Sequence, residues 1–188
     1  MNLPTKLTIL RIIMIPIFAA VFYLTVIPYN YVISAVIFLL AAFTDFLDGY
    51  IARKYNLVTD LGKFLDPIAD KILVSTALII MLLPANGDVI LPFYAGIAVA
   101  IILARELMVS GFRIIAASKG LVLAADKLGK IKTFIQDVAI VILLVGANVM
   151  PGLYTIMNVV GLVALGLATV MTIISGASCL IKNKDVLK

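Results

Sequence analysis

The chain has 188 residues, of which 64% are hydrophobic and only 13% are charged, against roughly 25% charged residues in an ordinary soluble domain. This apolar excess excludes a soluble globular protein and predicts an integral membrane protein, with lipid as the solvent for much of its surface. The chain contains no histidine and a single cysteine, which excludes histidine-based catalysis, histidine metal ligands and an internal disulfide.

Six apolar segments are long enough to cross a bilayer as helices, for which about 20 residues are needed. They are roughly residues 12–28, 31–52, 68–84, 89–117, 131–149 and 153–181. Short stretches of turn-forming residues separate several of them, at 28–30, 84–88 and 148–152. The sequence therefore predicts an all-α integral membrane protein with six transmembrane helices.

The first ten residues are more polar than the span that follows them. Asn2, Thr5 and Thr8 recur at three-residue spacing, with leucines between them. This pattern predicts a short N-terminal helix lying in the membrane interface. No linker, low-complexity tract or internal repeat interrupts the chain, so we expect a single membrane domain over residues 1–188.

The positive charges lie on one side of the predicted topology. The three turns contain no Lys or Arg, so all 15 such residues lie in the two termini and in two polar stretches, residues 53–71 and 105–132. Because Lys and Arg favour cytoplasmic segments, we expect both termini to be cytoplasmic in a multi-pass protein of the cytoplasmic (inner) membrane. The net charge of +5 follows from this membrane pattern, so no nucleic-acid partner is expected.

Four aspartates lie at matched spacings at the cytoplasmic edge of the predicted membrane. Asp45 and Asp48 are near the end of the second span, and Asp66 and Asp70 are at the start of the third; each pair shares a helix face. An ionised Asp within the hydrocarbon costs roughly 2.5–3.5 kcal/mol, and four facing one another would repel. Bound divalent cations remove both penalties, and oxygen ligands favour Mg²⁺ or Mn²⁺ over zinc. One such Asp would usually be solvated or paired with Lys, but the four together predict a metal site.

The residues around these aspartates suit a ligand that contains phosphate. Gly49 and Gly62 allow the backbone or a ligand to approach closely. Ala52 keeps one side of the helix small, and Arg53 offers a fork of donors suited to a diphosphate. Taken singly, the glycines would be ordinary packing or loop residues and Arg53 an ordinary membrane anchor.

Residues 45–70 resemble the signature of the CDP-alcohol phosphatidyltransferase family, D-x₂-D-G-x₂-A-R-x₈-G-x₃-D-x₃-D, at every fixed position. The resemblance implies six transmembrane helices with the site open to the cytoplasm, and a homodimer embedded in membrane lipid. It also implies transfer of a phosphatidyl group from CDP-diacylglycerol to an alcohol, with release of CMP.

The same resemblance implies roles for individual residues. Two divalent cations, Mg²⁺ or Mn²⁺, would be held at the diphosphate by Asp45, Asp48, Asp66 and Asp70. Asp70 would also be the catalytic base that takes the proton from the acceptor hydroxyl. The CDP site would be lined by Gly49, Ala52, Arg53 and Gly62.

Residues 2–11, 105–113 and 129–136 are similar to the branch of the family whose acceptor is glycerol 3-phosphate. An anionic acceptor also suits the residues themselves. Glu106 and Arg113 share one helix face, and Lys130, Thr133 and Asp137 share another, so two faces with cations are expected near the metal site. The cations expected at the acceptor phosphate are Arg113, Lys130, Arg105 and Lys132. The alternative is that the lysines are membrane anchors and that Glu106 pairs with one of the arginines.

Three other functions stay open at this stage. The same chemistry with inositol phosphate or serine as the acceptor would leave the aspartate signature unchanged. A small cation transporter would use intramembrane aspartates as an ion pathway, but it would distribute polar groups across the membrane depth, whereas nearly all charge here lies on one side. A structural subunit without catalytic activity would not require the complete aspartate signature of residues 45–70.

Overall fold

The computed structural model describes residues 2–24, 26–55, 60–85, 89–119, 127–148 and 151–183. These residues form six α-helices close to the predicted segments, and the all-α class is confirmed. The helices are α1 (Leu3–Tyr23), α2 (Asn30–Lys54), α3 (Asp60–Leu82), α4 (Ala95–Ser118), α5 (Lys127–Gly146) and α6 (Pro151–Lys182).

Within the described ranges, four helices are long and apolar enough to cross a membrane, namely α1, α2, α4 and α6. The other two, α3 and α5, have 23 and 20 residues, but their first halves carry charged side chains. Among these are Asp66, Asp70, Lys130 and Lys132, which the sequence predicts as site residues. The count of six transmembrane spans and the cytoplasmic location of the termini stay predictions.

α1 is one uninterrupted helix, so the separate interfacial helix predicted for the first ten residues is wrong. Pro4 lies in its first turn, where the missing N–H of proline removes no helical hydrogen bond. The polar residues Thr5, Thr8 and Arg11 are buried, because Thr8 and Arg11 bond to side chains of α3 and α2. α1 therefore belongs to the bundle from its first turn.

The apolar core lies in the parts of the helices that are away from the aspartates. Phe18 of α1 packs against Phe38 of α2, with ring centroids 6.0 Å apart, and Phe22 packs against Tyr31 at 5.0 Å. Buried members from α3 and α5 include Leu78, Met81, Ile140 and Leu144. Large apolar side chains also point outwards along the helices, for example Leu40, Phe43, Ile114, Val163 and Ile173, as expected where lipid is the solvent.

Two glycines allow α5 and α6 to pack closely. A Cβ at Gly161 would lie 2.5 Å from Leu143 Cγ, and a Cβ at Gly146 would lie 2.9 Å from Met157 Cβ. Small residues at such contacts are typical of helices that associate in membranes, where close packing replaces the hydrophobic effect.

Asparagine side chains connect the turns at the end of the bundle opposite the aspartates. The backbone N–H groups of Tyr31 and Val32 donate to Asn148 Oδ1 at 2.8 and 3.1 Å, which satisfies two of the unpaired donors at the start of α2. Asn30 Nδ2 donates to Phe22 O at 2.7 Å. These bonds fix the end of α1 and the start of α2 relative to the end of α5.

Candidate active site

Asp45 and Asp48 of α2 are joined by one buried arginine from α1. Arg11 Nη1 donates to Asp45 Oδ1 at 2.8 Å, and Arg11 Nη2 donates to Asp48 Oδ2 at 2.5 Å. Arg11 Nε donates to Ala41 O at 3.2 Å, and the arginine is 0% exposed. The two carboxylates therefore share the face of α2 that is directed at the first helix.

Asp66 and Asp70 bring α3 to the same region. Thr8 Oγ1 on α1 donates to Asp66 Oδ1 at 2.6 Å. Asp66 lies within electrostatic range of Asp45 and Asp48, and Asp70 lies within range of Asp45. The fold thus gathers the four signature aspartates where α1, α2 and α3 meet.

The donor chemistry of this cluster fits a divalent cation. All four side chains are carboxylates, the ligands that Mg²⁺ and Mn²⁺ favour, and together they carry more negative charge than Arg11 balances. Among the described residues, no three carboxylates or thiols converge at metal-ligating distance; two of the aspartates are directed at Arg11 and one at Thr8. A bound cation would compete with Arg11 and Thr8 for these oxygens.

Arg11 and Thr8 are site residues that the sequence analysis does not identify. By sequence, Arg11 counts as one of the positive charges expected at the cytoplasmic surface, yet its side chain is buried. The available signal is its position directly before a long apolar run, because a charge that enters a membrane protein needs a partner of opposite sign.

The residues expected at the CDP site lie on α2 and α3, beside the aspartates. Gly49 follows Asp48 and is half-buried, and Gly62 lies in the first turn of α3 and is buried. The side chains of Ala52 and Arg53 lie outside the described part of the structure.

A cavity of about 490 Å³ lies beside Asp70. Residues of α3, α4 and α5 and the C-terminal end of α6 form its wall, and the described residues there include five cationic side chains and two carboxylates. The cationic residues are Lys71, Arg105, Arg113, Lys130 and Lys182, and the acidic ones are Asp70 and Glu106. The excess of positive charge suits an anionic ligand.

Three of the four cations expected at an acceptor phosphate line this cavity, namely Arg105, Arg113 and Lys130. Lys132 is placed differently. It is 2% exposed, its Nζ donates to Glu106 Oε1 at 2.5 Å, and it lines a smaller cavity between α3, α4 and α5. The structure therefore brings Lys132 to Glu106 and not to the larger cavity.

Glu106 and Arg105 of α4 link this helix to α5 and α6 at the wall of the cavity. Besides the bond from Lys132, Glu106 Oε1 accepts from Arg105 Nη1 at 3.2 Å, so the pairing of Glu106 with Arg105, given above as an alternative, is confirmed. Arg105 Nη2 in turn donates to Ser175 Oγ of α6 at 2.8 Å. This chain of bonds joins α5, α4 and α6.

Asp137 of α5 is a further carboxylate near the site, and its side chain is half-buried. It lies within electrostatic range of Asp70 and Asp45, and its Oδ1 has no hydrogen-bond partner among the described residues. Lys130 and Thr133, which precede it on the same helix face, line the cavity. Asp137 lies one turn further along α5, towards the apolar core.

The sequence model of the CDP-alcohol phosphatidyltransferase family matches residues 1–174. Curated relatives named CDP-diacylglycerol–glycerol-3-phosphate 3-phosphatidyltransferase are similar over most of the chain. The Rickettsia bellii protein is 44% identical over 94% of this chain and 92% of its own length. The Bacillus subtilis protein is 40% identical over 100% and 97%, and the Salmonella typhimurium protein is 39% identical over 79% of each.

Proposed function

Because the chain belongs to the CDP-alcohol phosphatidyltransferase family, we propose that it transfers the phosphatidyl group of CDP-diacylglycerol to glycerol 3-phosphate, giving phosphatidylglycerophosphate and CMP. The names of its relatives support this acceptor. The observation that carries the proposal is the cationic cavity that adjoins the aspartate cluster at Asp70. The cluster suits a cation-bound diphosphate, and the cavity suits a small alcohol that bears a phosphate.

The proposed reaction exchanges a phosphoanhydride bond of the donor for a phosphoester bond to the acceptor. The acceptor hydroxyl oxygen attacks the phosphorus that carries diacylglycerol. The bond from that phosphorus to the bridging oxygen of the diphosphate breaks, and CMP leaves with the bridging oxygen. Asp70 accepts the proton of the attacking hydroxyl, a role that suits a carboxylate which belongs to the cluster and also lines the cavity.

The donor is held at its diphosphate and at its cytidine monophosphate group. Two divalent cations, Mg²⁺ or Mn²⁺, would when bound spread the charge of the transferring phosphoryl group and of the leaving CMP. The side chains that would hold them are Asp45, Asp48, Asp66 and Asp70. The residues proposed to line the CDP site are Gly49, Ala52, Arg53 and Gly62. Arg11 and Thr8 orient the aspartates from α1.

The phosphate of the acceptor lies among Arg105, Arg113 and Lys130 in this proposal. Hydrogen bonds between charged groups of this kind are roughly twice as strong as those between neutral groups. Glu106 is already paired with Arg105 and Lys132, so its repulsion of an anion in the cavity is reduced. Lys132 thus acts on the acceptor site through Glu106.

We further propose that the protein is a homodimer in the cytoplasmic membrane, surrounded by lipid, with the site facing the cytoplasm. The one-sided distribution of Lys and Arg supports this orientation. It gives glycerol 3-phosphate access from the aqueous side, while CDP-diacylglycerol arrives from the bilayer.

The experiment is a CMP-release assay of the purified protein with CDP-diacylglycerol and a panel of acceptors, namely glycerol 3-phosphate, inositol phosphate and serine. We expect the highest kcat/KM with glycerol 3-phosphate. Chelation of divalent cations should stop CMP release, added Mg²⁺ or Mn²⁺ should restore it, and Asp48→Asn should release none while staying monodisperse in detergent. A preference for serine or inositol phosphate, or full activity in chelator, would contradict the proposal.

A further inference from the structure

The C-terminal end of α6 forms one wall of the cavity and lies beyond residue 174, where the match to the sequence model of the family ends. Cys179, Lys182 and Asn183 line the cavity from this end, and Ser175 and Gly176 contact Arg105. On the basis of the proposed function, we propose that this end of α6 determines affinity for the acceptor phosphate. Lys182 binds the phosphate directly, and Ser175 and Gly176 position Arg105 for it.

Arg105 of α4 is held in place by two neighbours on α6. Its Nη2 donates to Ser175 Oγ at 2.8 Å. Ser175 is 0% exposed, so the surrounding side chains hold its hydroxyl group in place. Gly176 leaves room for the arginine side chain, because a Cβ there would lie 3.1 Å from Arg105 Cγ and 3.5 Å from Arg105 Nε. α6 therefore sets the position of the guanidinium together with Glu106.

The Nε atom of Arg105 is a buried donor without a hydrogen-bond partner among the described residues. An unpaired buried N–H of a charged group is unfavourable, and the fork of a guanidinium matches phosphate oxygens well. Since Arg105 lines the cavity, its guanidinium is near enough to interact with the phosphate of a molecule bound there.

Lys182 adds a cation to the same cavity from the last turn of α6. A lysine at this place is ordinarily explained by its favourable interaction with the carbonyl end of the helix. Here it lines the cavity that also contains Arg113 and Lys130, so it adds to the positive charge available to a bound phosphate. The neighbouring Asn183 Nδ2 donates to Cys179 O at 2.8 Å, which fixes the end of the helix next to Lys182.

The test is steady-state kinetics with both substrates varied. Lys182→Ala should raise the KM for glycerol 3-phosphate about 10-fold or more and leave the KM for CDP-diacylglycerol unchanged, and Lys182→Arg should recover most of the loss. Gly176→Ala should raise the same KM by a smaller factor, because its methyl group displaces Arg105. Gly166→Ala is the matched control, since a Cβ at this site on the same helix meets nothing within 4 Å.

Two results would overturn the inference: an unchanged KM for glycerol 3-phosphate in Lys182→Ala, or equal changes in Gly176→Ala and Gly166→Ala. The KM for CDP-diacylglycerol, measured in the same preparations, separates a local effect on the acceptor from general misfolding. A wild-type protein that does not use glycerol 3-phosphate would defeat the proposed function itself. If the wild-type protein uses glycerol 3-phosphate but the α6 variants show an unchanged KM for it, only the inference about α6 fails.

Discussion

Arg11 is the residue that connects the first helix to the aspartate cluster. Its guanidinium is 0% exposed and is bonded to Asp45 and Asp48, which lie 34 and 37 positions further along the chain. The buried guanidinium depends on its partners, because it cannot be hydrated once the bundle has formed. The cluster therefore depends on α1 for part of its charge balance, a dependence that spacing within α2 does not reveal.

Replacing Arg11 by methionine is expected to lower the melting temperature of the metal-free protein in detergent. Removing one partner of a buried ion pair costs about 3–5 kcal/mol, and the effect should come mainly from Asp48, which is 2% exposed, because Asp45 is 44% exposed and can be hydrated. Saturating Mg²⁺ or Mn²⁺ should recover part of the loss by supplying positive charge. Lys6→Met, at an exposed position of the same helix, is the control. Equal melting temperatures of wild type and Arg11→Met in chelator would contradict this account.

Arg113 and Lys130 are expected to act on the acceptor and Arg53 on the donor. Loss of a charged hydrogen bond to phosphate corresponds to a change of about 10- to 150-fold in affinity. Arg113→Ala and Lys130→Ala should therefore raise the KM for glycerol 3-phosphate strongly and change that for CDP-diacylglycerol little, while Arg53→Ala should do the reverse. Lys119→Ala, an exposed position outside the cavity wall, should change neither. The assignment fails if Arg113→Ala weakens only CDP-diacylglycerol.

At the scale of the helices, the long apolar runs predict the elements well, because a run of about 20 apolar residues in a bilayer forms a helix that crosses it. The extent of α1 is the exception. Thr5, Thr8 and Arg11 are polar in sequence and indicate an interface, but they are buried by bonds to α2 and α3. Partners that lie far apart in the chain are visible only once the helices are packed.

In the candidate site, too, the sequence predicts which residues share a helix face but not which residues of different helices are in contact. The aspartate pairs and the Arg113–Glu106 face follow from helical spacing, which is a local property. The burial of Lys132 against Glu106 and the contact of Ser175 with Arg105 join different helices, so the sequence does not reveal them. The metal ligands and the CDP-binding residues stay predictions.

Close packing of α5 on α6 gives a prediction at the same scale. Gly161→Ala should destabilise the protein by about 1–3 kcal/mol, the usual effect of overpacking, because its Cβ would lie 2.5 Å from Leu143 Cγ and 2.7 Å from Leu143 Cδ2. Gly152→Ala on the same helix, where a Cβ meets nothing within 4 Å, should be nearly neutral. Denaturant unfolding in detergent micelles measures both. Equal stabilities would show that Leu143 moves aside without loss.

Among the described residues, the charged cavity and the aspartates lie at one end of the bundle, and the apolar core lies away from them. Orientation in the membrane therefore decides which substrates can reach the site. The prediction is that residues near 86 are external and those near 119 cytoplasmic. Cys179 would first be replaced by alanine, and single cysteines then introduced as Asn86→Cys and Lys119→Cys. A membrane-impermeant thiol reagent applied to intact cells should label only the first variant, and labelling of only the second would reverse the orientation.

The central claim is that the acceptor hydroxyl attacks the phosphorus that carries diacylglycerol. The direct test is mass spectrometry of the products formed by the wild-type protein from CDP-diacylglycerol and glycerol 3-phosphate labelled with ¹⁸O in its primary hydroxyl group. The account predicts that the label appears in phosphatidylglycerophosphate and that the released CMP contains none. Release of phosphatidate with a labelled ester of CMP and glycerol 3-phosphate, or CMP release without a labelled lipid product, would contradict it.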